Sequence, residues 1–259
     1  MRRIVVGNCV KERLLRLVDP DAPTEAEFEQ QVVRALSCFF PNHQCIVFTG
    51  GFRLDGEVLR PDLALFPADY SHWFVVEVEL TSHSFERHVL PQVRAFRYGE
   101  PLDDCASQIA KALNISVPQA TTLVRHVPRN VAVVMNKREP TWEIALRSHS
   151  IQLLIVSAFS SEAGLDAVEL DGDLEVFQES LGFGLYSATD RSLRFPTSVR
   201  LPTGRIQIHD PLGSTSLWTV ARDGVYAWIT KDVGLPSIPH DSHIQLLRTV
   251  DGRITLKRP

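Results

Sequence analysis

The sequence predicts an α/β domain followed by a small β-rich domain, and three observations carry that reading. Between residues 24 and 160, apolar runs of strand length alternate with stretches whose apolar residues recur at helical spacing. Beyond Ser160 the texture changes to short β-like runs broken by Gly, Pro and Asp. The chain's 259 residues, 44% apolar and 22% charged, are enough to bury one large core or two modest ones, which excludes a disordered or fibrous chain.

The elements follow in order. Residues 1–23 read as an N-terminal arm, extended or with a short helix near 11–18, closed by Asp19-Pro20-Asp21-Ala22-Pro23. Thr24 then serves as an N-cap and Glu27, three positions on, completes a capping box; the helix runs to about Phe40 and stops at Pro41. Three neighbouring strands are expected at Cys45 to Thr49, Leu59 to Phe66 and Trp73 to Leu80, separated by turn-rich segments. Apolar residues at 85, 89, 93 and 96 predict a helix from Phe85 to Tyr98, closed by Gly99 and Pro101. A helical insert at 103–127, in two pieces, precedes a valine-rich buried strand from Asn130 to Met135, a helix from Trp142 to Ser148 and a strand from Ile151 to Phe159. The region 161–259 holds β-like runs at 205–209, 216–220, 226–230, 243–249 and 253–257, with Asp223-Gly224 as a hairpin turn.

Composition narrows the function classes. Apolar runs such as Val131 to Met135 fall well short of the roughly 20 residues a membrane span needs, and the opening Met1-Arg2-Arg3-Ile4-Val5-Val6-Gly7-Asn8 lacks a secretory pattern. A cytoplasmic protein is expected. Cys9, Cys38, Cys45 and Cys105 form no CxxC pair and have no histidines at zinc-ligand spacing, so inert thiols are expected rather than a disulfide framework or a structural zinc site. A net charge of -4 confines any nucleic-acid surface to a local patch.

The residues that carry chemistry are acids. Pro61-Asp62 opens one strand, and fifteen positions later Glu77-Val78-Glu79 lies in the next. Side chains alternate along a strand, so Glu77 and Glu79 share a face while Val76, Val78 and Leu80 take the other. Like charges in so apolar a strand are unfavourable unless a cation neutralises them, and hard divalent cations take oxygen ligands of this kind. The plain alternative is a sheet edge whose acids are simply solvated.

On these residues the chain resembles the PD-(D/E)XK nuclease superfamily. Pro61-Asp62 matches the first half of its motif and Glu77 the second acid; Glu79 stands where most members have lysine, although some restriction endonucleases of the superfamily have Glu there. The resemblance covers about residues 24–160 and implies a restriction-endonuclease-like core, a mixed central sheet flanked by helices. It also implies a glutamate from the preceding helix. Phe28, Val32, Leu36 and Phe39 define that helix's inward face, near which Glu25 and Glu29 point while Glu27 lies opposite. Glu29 is favoured, since Glu29-Gln30-Gln31-Val32-Val33-Arg34-Ala35-Leu36 is similar to the superfamily's first-helix pattern, and Glu25 is the fallback. Gln92, on the face of Phe85, Val89 and Phe96, is similar to the QxxxY signature of RecB-like members, with Phe96 in the tyrosine position and His88 one turn earlier as an assisting group. For Gln92 and His88 the alternative is ordinary polar residues near a helix end.

The implied chemistry is phosphodiester hydrolysis with Mg²⁺, for which Mn²⁺ would substitute, held by Asp62 and Glu77, with Glu79 on a second ion. A second resemblance, to the helix-turn-helix of bacterial regulators, spans Gln108 to Arg125 and places Gln119, Thr122 and Arg125 toward a DNA major groove. Packing of that helical pair on the sheet is the favoured alternative, because a helix-turn-helix needs its own third helix. Trp218, Tyr226 and Trp228 are read either as base-stacking aromatics or as core. The expected function is thus a DNA endonuclease, by analogy one of prokaryotic defence, with the β domain serving recognition, self-assembly or a partner protein. The alternatives are a catalytically inactive scaffold or sensor with the nuclease fold, and a DNA-binding regulator.

Overall fold

In the computed structural model, the described residues are 2–6, 15–160, 166–176, 178–187, 189–199, 201–209, 214–233, 238, 242–249 and 251–258. They divide into two compact units, one of Met1–Val124 with Arg129–Glu175, the other of Arg125–Pro128 with Val176–Pro259.

The first unit is built on a mixed sheet. Its strands, in chain order, are β1 (Arg2–Val6), β2 (Arg16–Leu17), β3 (His43–Val47), β6 (Leu63–Pro67), β7 (Trp73–Glu79), β9 (Arg129–Met135), β10 (Gln152–Ser160) and β11 (Asp166–Asp171). A separate three-stranded sheet joins β4 (Phe52–Leu54), β5 (Glu57–Leu59) and β8 (Glu100–Pro101). The large sheet runs β1-β11-β10-β9-β7-β6-β3, with β2 paired to β10. β3, β6 and β7 form an antiparallel meander, and β9 and β10 then continue it in parallel. Strands buried on both faces lose the alternation of a half-exposed strand: β6, β7 and β9 have no exposed residue, and they are apolar except for Glu77 and Glu79 of β7 and the Arg129-Asn130 start of β9.

Five helices accompany these strands: α1 (Glu25–Phe39), α2 (Leu90–Tyr98), α3 (Asp103–Leu113), α4 (Val117–His126) and α5 (Pro140–Ser148). The predicted capping box starts α1. The Glu27 backbone N–H donates to Thr24 Oγ1 at 3.4 Å while Glu27 Oε2 accepts from the Thr24 N–H at 2.8 Å, an arrangement that contributes about 1 kcal/mol. α1 buries Phe28, Val32, Ala35 and Leu36 and packs on β3, β7, β10 and β11. Residues 85–98 are not one regular helix: Phe85–Val89 is a π-helical turn that leads into α2. α2 packs on β9 through Val93, Ala95 and Phe96.

Trp73, Val75, Glu77 and Glu79 share one face of β7, and that face is aromatic at one end and acidic at the other. Trp73 is fully buried, stacked on Phe66 with centroids 5.5 Å apart and edge-on to Phe48 at 6.0 Å. Phe52 links it to Phe96 of α2 at 5.7 Å. Arg129 closes this end, with its guanidinium 4.6 Å from the centre of Phe52 and Nη2 donating to the Gly99 carbonyl at 2.8 Å, where it caps the carbonyl end of α2.

The second unit is a closed barrel of β12 (Gln178–Ser187), β13 (Ser192–Pro196), β14 (Gly204–His209), β15 (Thr215–Arg222), β16 (Tyr226–Lys231), β17 (His243–Thr249) and β18 (Ile254–Lys257), in the order β12-β13-β16-β15-β14-β18-β17. A short parallel pairing of β14 with β18, Ile208 with Ile254 and His209 with Thr255, joins the hairpins into the closed ring. Its core includes Leu193, Phe195, Ile208, Trp218, Ile229, Ile244 and Leu246. Asp223-Gly224 is the predicted hairpin turn, with Gly224 at φ +90° and Asp223 Oδ1 accepting from the backbone of Val225 and Tyr226.

Two expected boundaries are corrected. The first unit extends to Glu175 rather than 160, because β11 pairs with both β10 and β1. Residues 2–6 and 16–17 are not a free arm but strands of the large sheet; most of the expected short helix at 11–18 lies outside the described residues. Among the described residues, no helix is long and apolar enough to cross a membrane.

Candidate metal centre

The antiparallel register of β6 and β7 pairs Leu63 with Val76. Continued by one residue, it sets Asp62 directly across from Glu77, so that both carboxylates leave the same face of the sheet. The Asp62 carboxylate is held by the Val78 backbone N–H, which donates to Oδ2 at 2.8 Å. Glu77 is buried, and its Oε1 accepts from Gln92 Nε2 of α2 at 2.5 Å. Its other oxygen, Oε2, is buried with no hydrogen-bond partner among the described residues. A buried carboxylate oxygen without a donor costs several kcal/mol if ionised, and a divalent cation relieves that cost. The donor set at Asp62 and Glu77, hard oxygens only, fits Mg²⁺ or Mn²⁺.

Electrostatics agree with the geometry. Burial pushes the Asp62 carboxyl up to about 7, helped by the negative charges of Glu29, Glu79 and Glu25 and opposed by the Val78 hydrogen bond. Burial holds Glu77 well above the carboxylate range, reinforced by Asp62, Glu79 and Glu25. Burial also raises Glu79, against the opposing pull of His83 and His88. Three neighbouring acids all made harder to ionise form the kind of constellation found at functional sites.

An acid whose folded pKa lies above its unfolded value binds extra protons when folded, so stability falls as pH rises through that interval. For Asp62 the window runs from about 4 to about 7. Asp62→Asn keeps an oxygen for the Val78 N–H and removes the charge. In metal-free buffer the variant's advantage over the parent chain is therefore expected to grow between pH 5 and pH 8 by roughly 2 kcal/mol, or about 4–8 °C in Tm. Paired thermal melts at the two pH values check this; a constant difference would mean that Asp62 is not buried as described.

Glu79 departs from the expected three-acid set. Among the described residues, the trio whose ligand atoms lie within 4.8 Å of one another is Glu79, His83 and His88, not Asp62, Glu77 and Glu79. Glu79 Oε2 lies 2.7 Å from His83 Nδ1, and Oε1 lies 3.3 Å from His88 Nε2. The reason is local. The chain leaves β7 through a turn in which the His83 N–H donates to the Leu80 carbonyl, and the π-helical turn then presents His88. Thr81 is fixed by Asn136 Oδ1, which accepts from its N–H at 3.0 Å.

Sequence reasoning named His88 as an assisting group but missed His83. No periodicity marks a histidine in an irregular turn; the signal available was its place four residues after Glu79 and five before His88. Glu29 is half-buried and, of the three acids, acts on Asp62, whereas the exposed Glu25 acts on Asp62, Glu77 and Glu79. The fallback thus faces more of the cluster than the favoured residue does. Glu27 is occupied by the cap.

The insert has its two expected helices, joined through Asn114 in the left-handed conformation. Gln119, Thr122 and Arg125 are exposed on α4. Gln119 is committed to its own helix start, with Oε1 accepting from the Ser116 N–H at 3.0 Å and hydroxyl at 2.8 Å, and the Thr122 hydroxyl donates to the Pro118 carbonyl. In the barrel, Trp218 is core and its indole N–H donates to Ser216 Oγ. Trp228, Tyr226 and Arg194 lie on the outer surface, with Arg194 stacked over Tyr226 at 4.9 Å.

The comparisons with known proteins are silent: no family model, curated protein or solved structure matches this chain.

Proposed function

We propose that the chain is a metal-dependent nuclease that hydrolyses DNA phosphodiester bonds, with a core of the PD-(D/E)XK type. The observation that carries the reading is the pair Asp62 and Glu77: Asp62 directly precedes β6 and its carboxylate accepts from the Val78 N–H of β7, next to Glu77, which is buried with one oxygen lacking a hydrogen-bond donor among the described residues. The mixed central sheet with its accompanying helices supports it, because that is the arrangement the sequence resemblance implies.

Asp62 and Glu77 would hold the ion. Bound there, Mg²⁺ supplies Lewis acidity to a phosphoryl oxygen and lowers the pKa of a coordinated water. The chain's own residues do the positioning. The Val78 N–H fixes the rotamer of Asp62, and Gln92 holds Glu77 through Oε1, which leaves Oε2 for the ion. Glu79 stands in place of the usual lysine, and its partners His83 and His88 bring imidazole nitrogens to that position.

Gln92 is thereby a positioning residue. Gln92→Leu is expected to lower cleavage about 10- to 100-fold and to raise the Mg²⁺ concentration needed for half-maximal rate. A slower variant with an unchanged Mg²⁺ requirement would assign Gln92 to packing alone.

The reading is tested by incubating the purified chain with supercoiled plasmid and with single-stranded DNA in Mg²⁺ or Mn²⁺, with and without EDTA. Cleavage that EDTA stops is the expected result. No cleavage of either DNA with either ion overturns the enzyme and leaves a nuclease-fold scaffold.

A further inference from the structure

We propose that Glu79, His83 and His88 form a second metal site, distinct in chemistry from the all-oxygen pair Asp62 and Glu77, that takes a first-row transition ion of the zinc class. Glu79 is 1% exposed, yet each of its oxygens faces one imidazole nitrogen, at 2.7 Å for His83 and 3.3 Å for His88. All three ligand atoms lie within 4.8 Å of one another. Around a tetrahedral zinc ion with bonds of about 2.0–2.1 Å, donor atoms sit roughly 3.3 Å apart. The separation from Oε1 to His88 already has that value, the Oε2–His83 contact must open by about 0.6 Å to admit an ion, and the other ligand-atom separations lie within 4.8 Å.

That opening does not disturb the sheet. Glu79 ends β7, whereas His83 lies in the turn that follows and His88 in the π-helical turn, so the two imidazoles adjust on short irregular segments. The rings meet edge to face with centroids 5.2 Å apart, and this contact limits their rotation. His83 and His88 are 31% and 50% exposed, so the fourth position opens to solvent for water or a phosphate oxygen. Two imidazoles and one carboxylate with an open position is a set suited to zinc-class ions, whereas Mg²⁺ favours oxygen ligands and retains its waters. As a second ion beside a scissile phosphate the site rests on the nuclease reading; as a binding site it rests on these donors alone. It deepens that reading by making the two ions unlike.

The test uses the full chain, stripped with EDTA and dialysed, then titrated with Co²⁺ while the visible d–d absorption is followed. One Co²⁺ is expected to give bands that Zn²⁺ displaces at equimolar amounts and that millimolar Mg²⁺ leaves in place. His83→Ala and His88→Ala are each expected to weaken Co²⁺ binding at least tenfold, and the double variant to lose the bands. Asp62→Ala is expected to retain them. Because both histidines are at the surface, far-ultraviolet circular dichroism of the double variant should match the parent chain. Bands unchanged in the double variant, or no Co²⁺ uptake by the parent chain, would overturn the site. DNA cleavage that needs Asp62 alongside histidine-independent Co²⁺ binding sinks this proposal alone. Histidine-dependent binding without any DNA cleavage leaves the metal site standing and sinks the nuclease.

Discussion

Asp62→Asn and Glu77→Gln are each expected to lower Mg²⁺-dependent DNA cleavage by at least about 10³-fold, equivalent to roughly 4 kcal/mol of transition-state stabilisation. Both substitutions are isosteric. Asn at 62 still accepts from the Val78 N–H, and Gln at 77 still accepts from Gln92. The loss therefore measures negative charge available to a cation, not packing. Neutralising Asp62 removes a like-charge neighbour from Glu77, and either substitution removes a carboxyl that burial makes costly to ionise, so both variants are expected to be as stable as the parent chain or more so at pH 8. Reduced activity with raised stability is a signature that a merely structural acid does not produce. Initial rates on plasmid, taken beside thermal melts, check it; a rate within threefold of the parent chain in either variant would remove that residue from the site.

Trp73→Ala is expected to destabilise the first unit by about 3–5 kcal/mol, or roughly 2–4 °C of Tm per kcal/mol. Trp73 is fully exposure-free, stacks on Phe66 and touches Phe48 and Phe52. No neighbour can fill the space of an indole, because β6 and β7 are fixed by their ladders on either side. The strand that loses this anchor is the one that carries Glu77 and Glu79, so metal affinity should fall along with stability. Denaturant melts of the variant give the size of the effect. A cost below about 1 kcal/mol would mean that the aromatic cluster does not hold the acidic end of β7 in place.

Much of the fold was legible because its signals are local. The Thr24 and Glu27 cap, the valine run of β9 and the Asp223-Gly224 turn each specify their element from a few adjacent residues, and each is present. The opposition of Asp62 and Glu77 was half legible. Alternation along β7 put Glu77 and Glu79 on one face, but the register that sets Asp62 across from Glu77 depends on how β6 and β7 pair.

What stayed hidden depends on non-local pairing or irregular backbone. β11 belongs to the first sheet because it pairs with β1, more than 150 residues away in sequence, which no local pattern near residue 160 records. The π-helical turn differs from an α-helix only in its hydrogen bonds, so the apolar spacing at 85, 89, 93 and 96 concealed it. His83 was missed for the same reason, and with it the histidine pair that engages both oxygens of Glu79. Closure of the C-terminal strands into a barrel was likewise beyond a reading of strand-length runs, because it depends on β12 pairing with β17 across the unit.

On the proposed reading, Asp62 and Glu77 together hold a divalent ion. Anomalous diffraction from crystals soaked in Mn²⁺ tests it most directly. The expected result is a peak at bonding distance, about 2.0–2.3 Å, from a carboxylate oxygen of both Asp62 and Glu77, absent from crystals of Glu77→Gln. Fully occupied Mn²⁺ at other positions, with no density between these two side chains, would contradict the account.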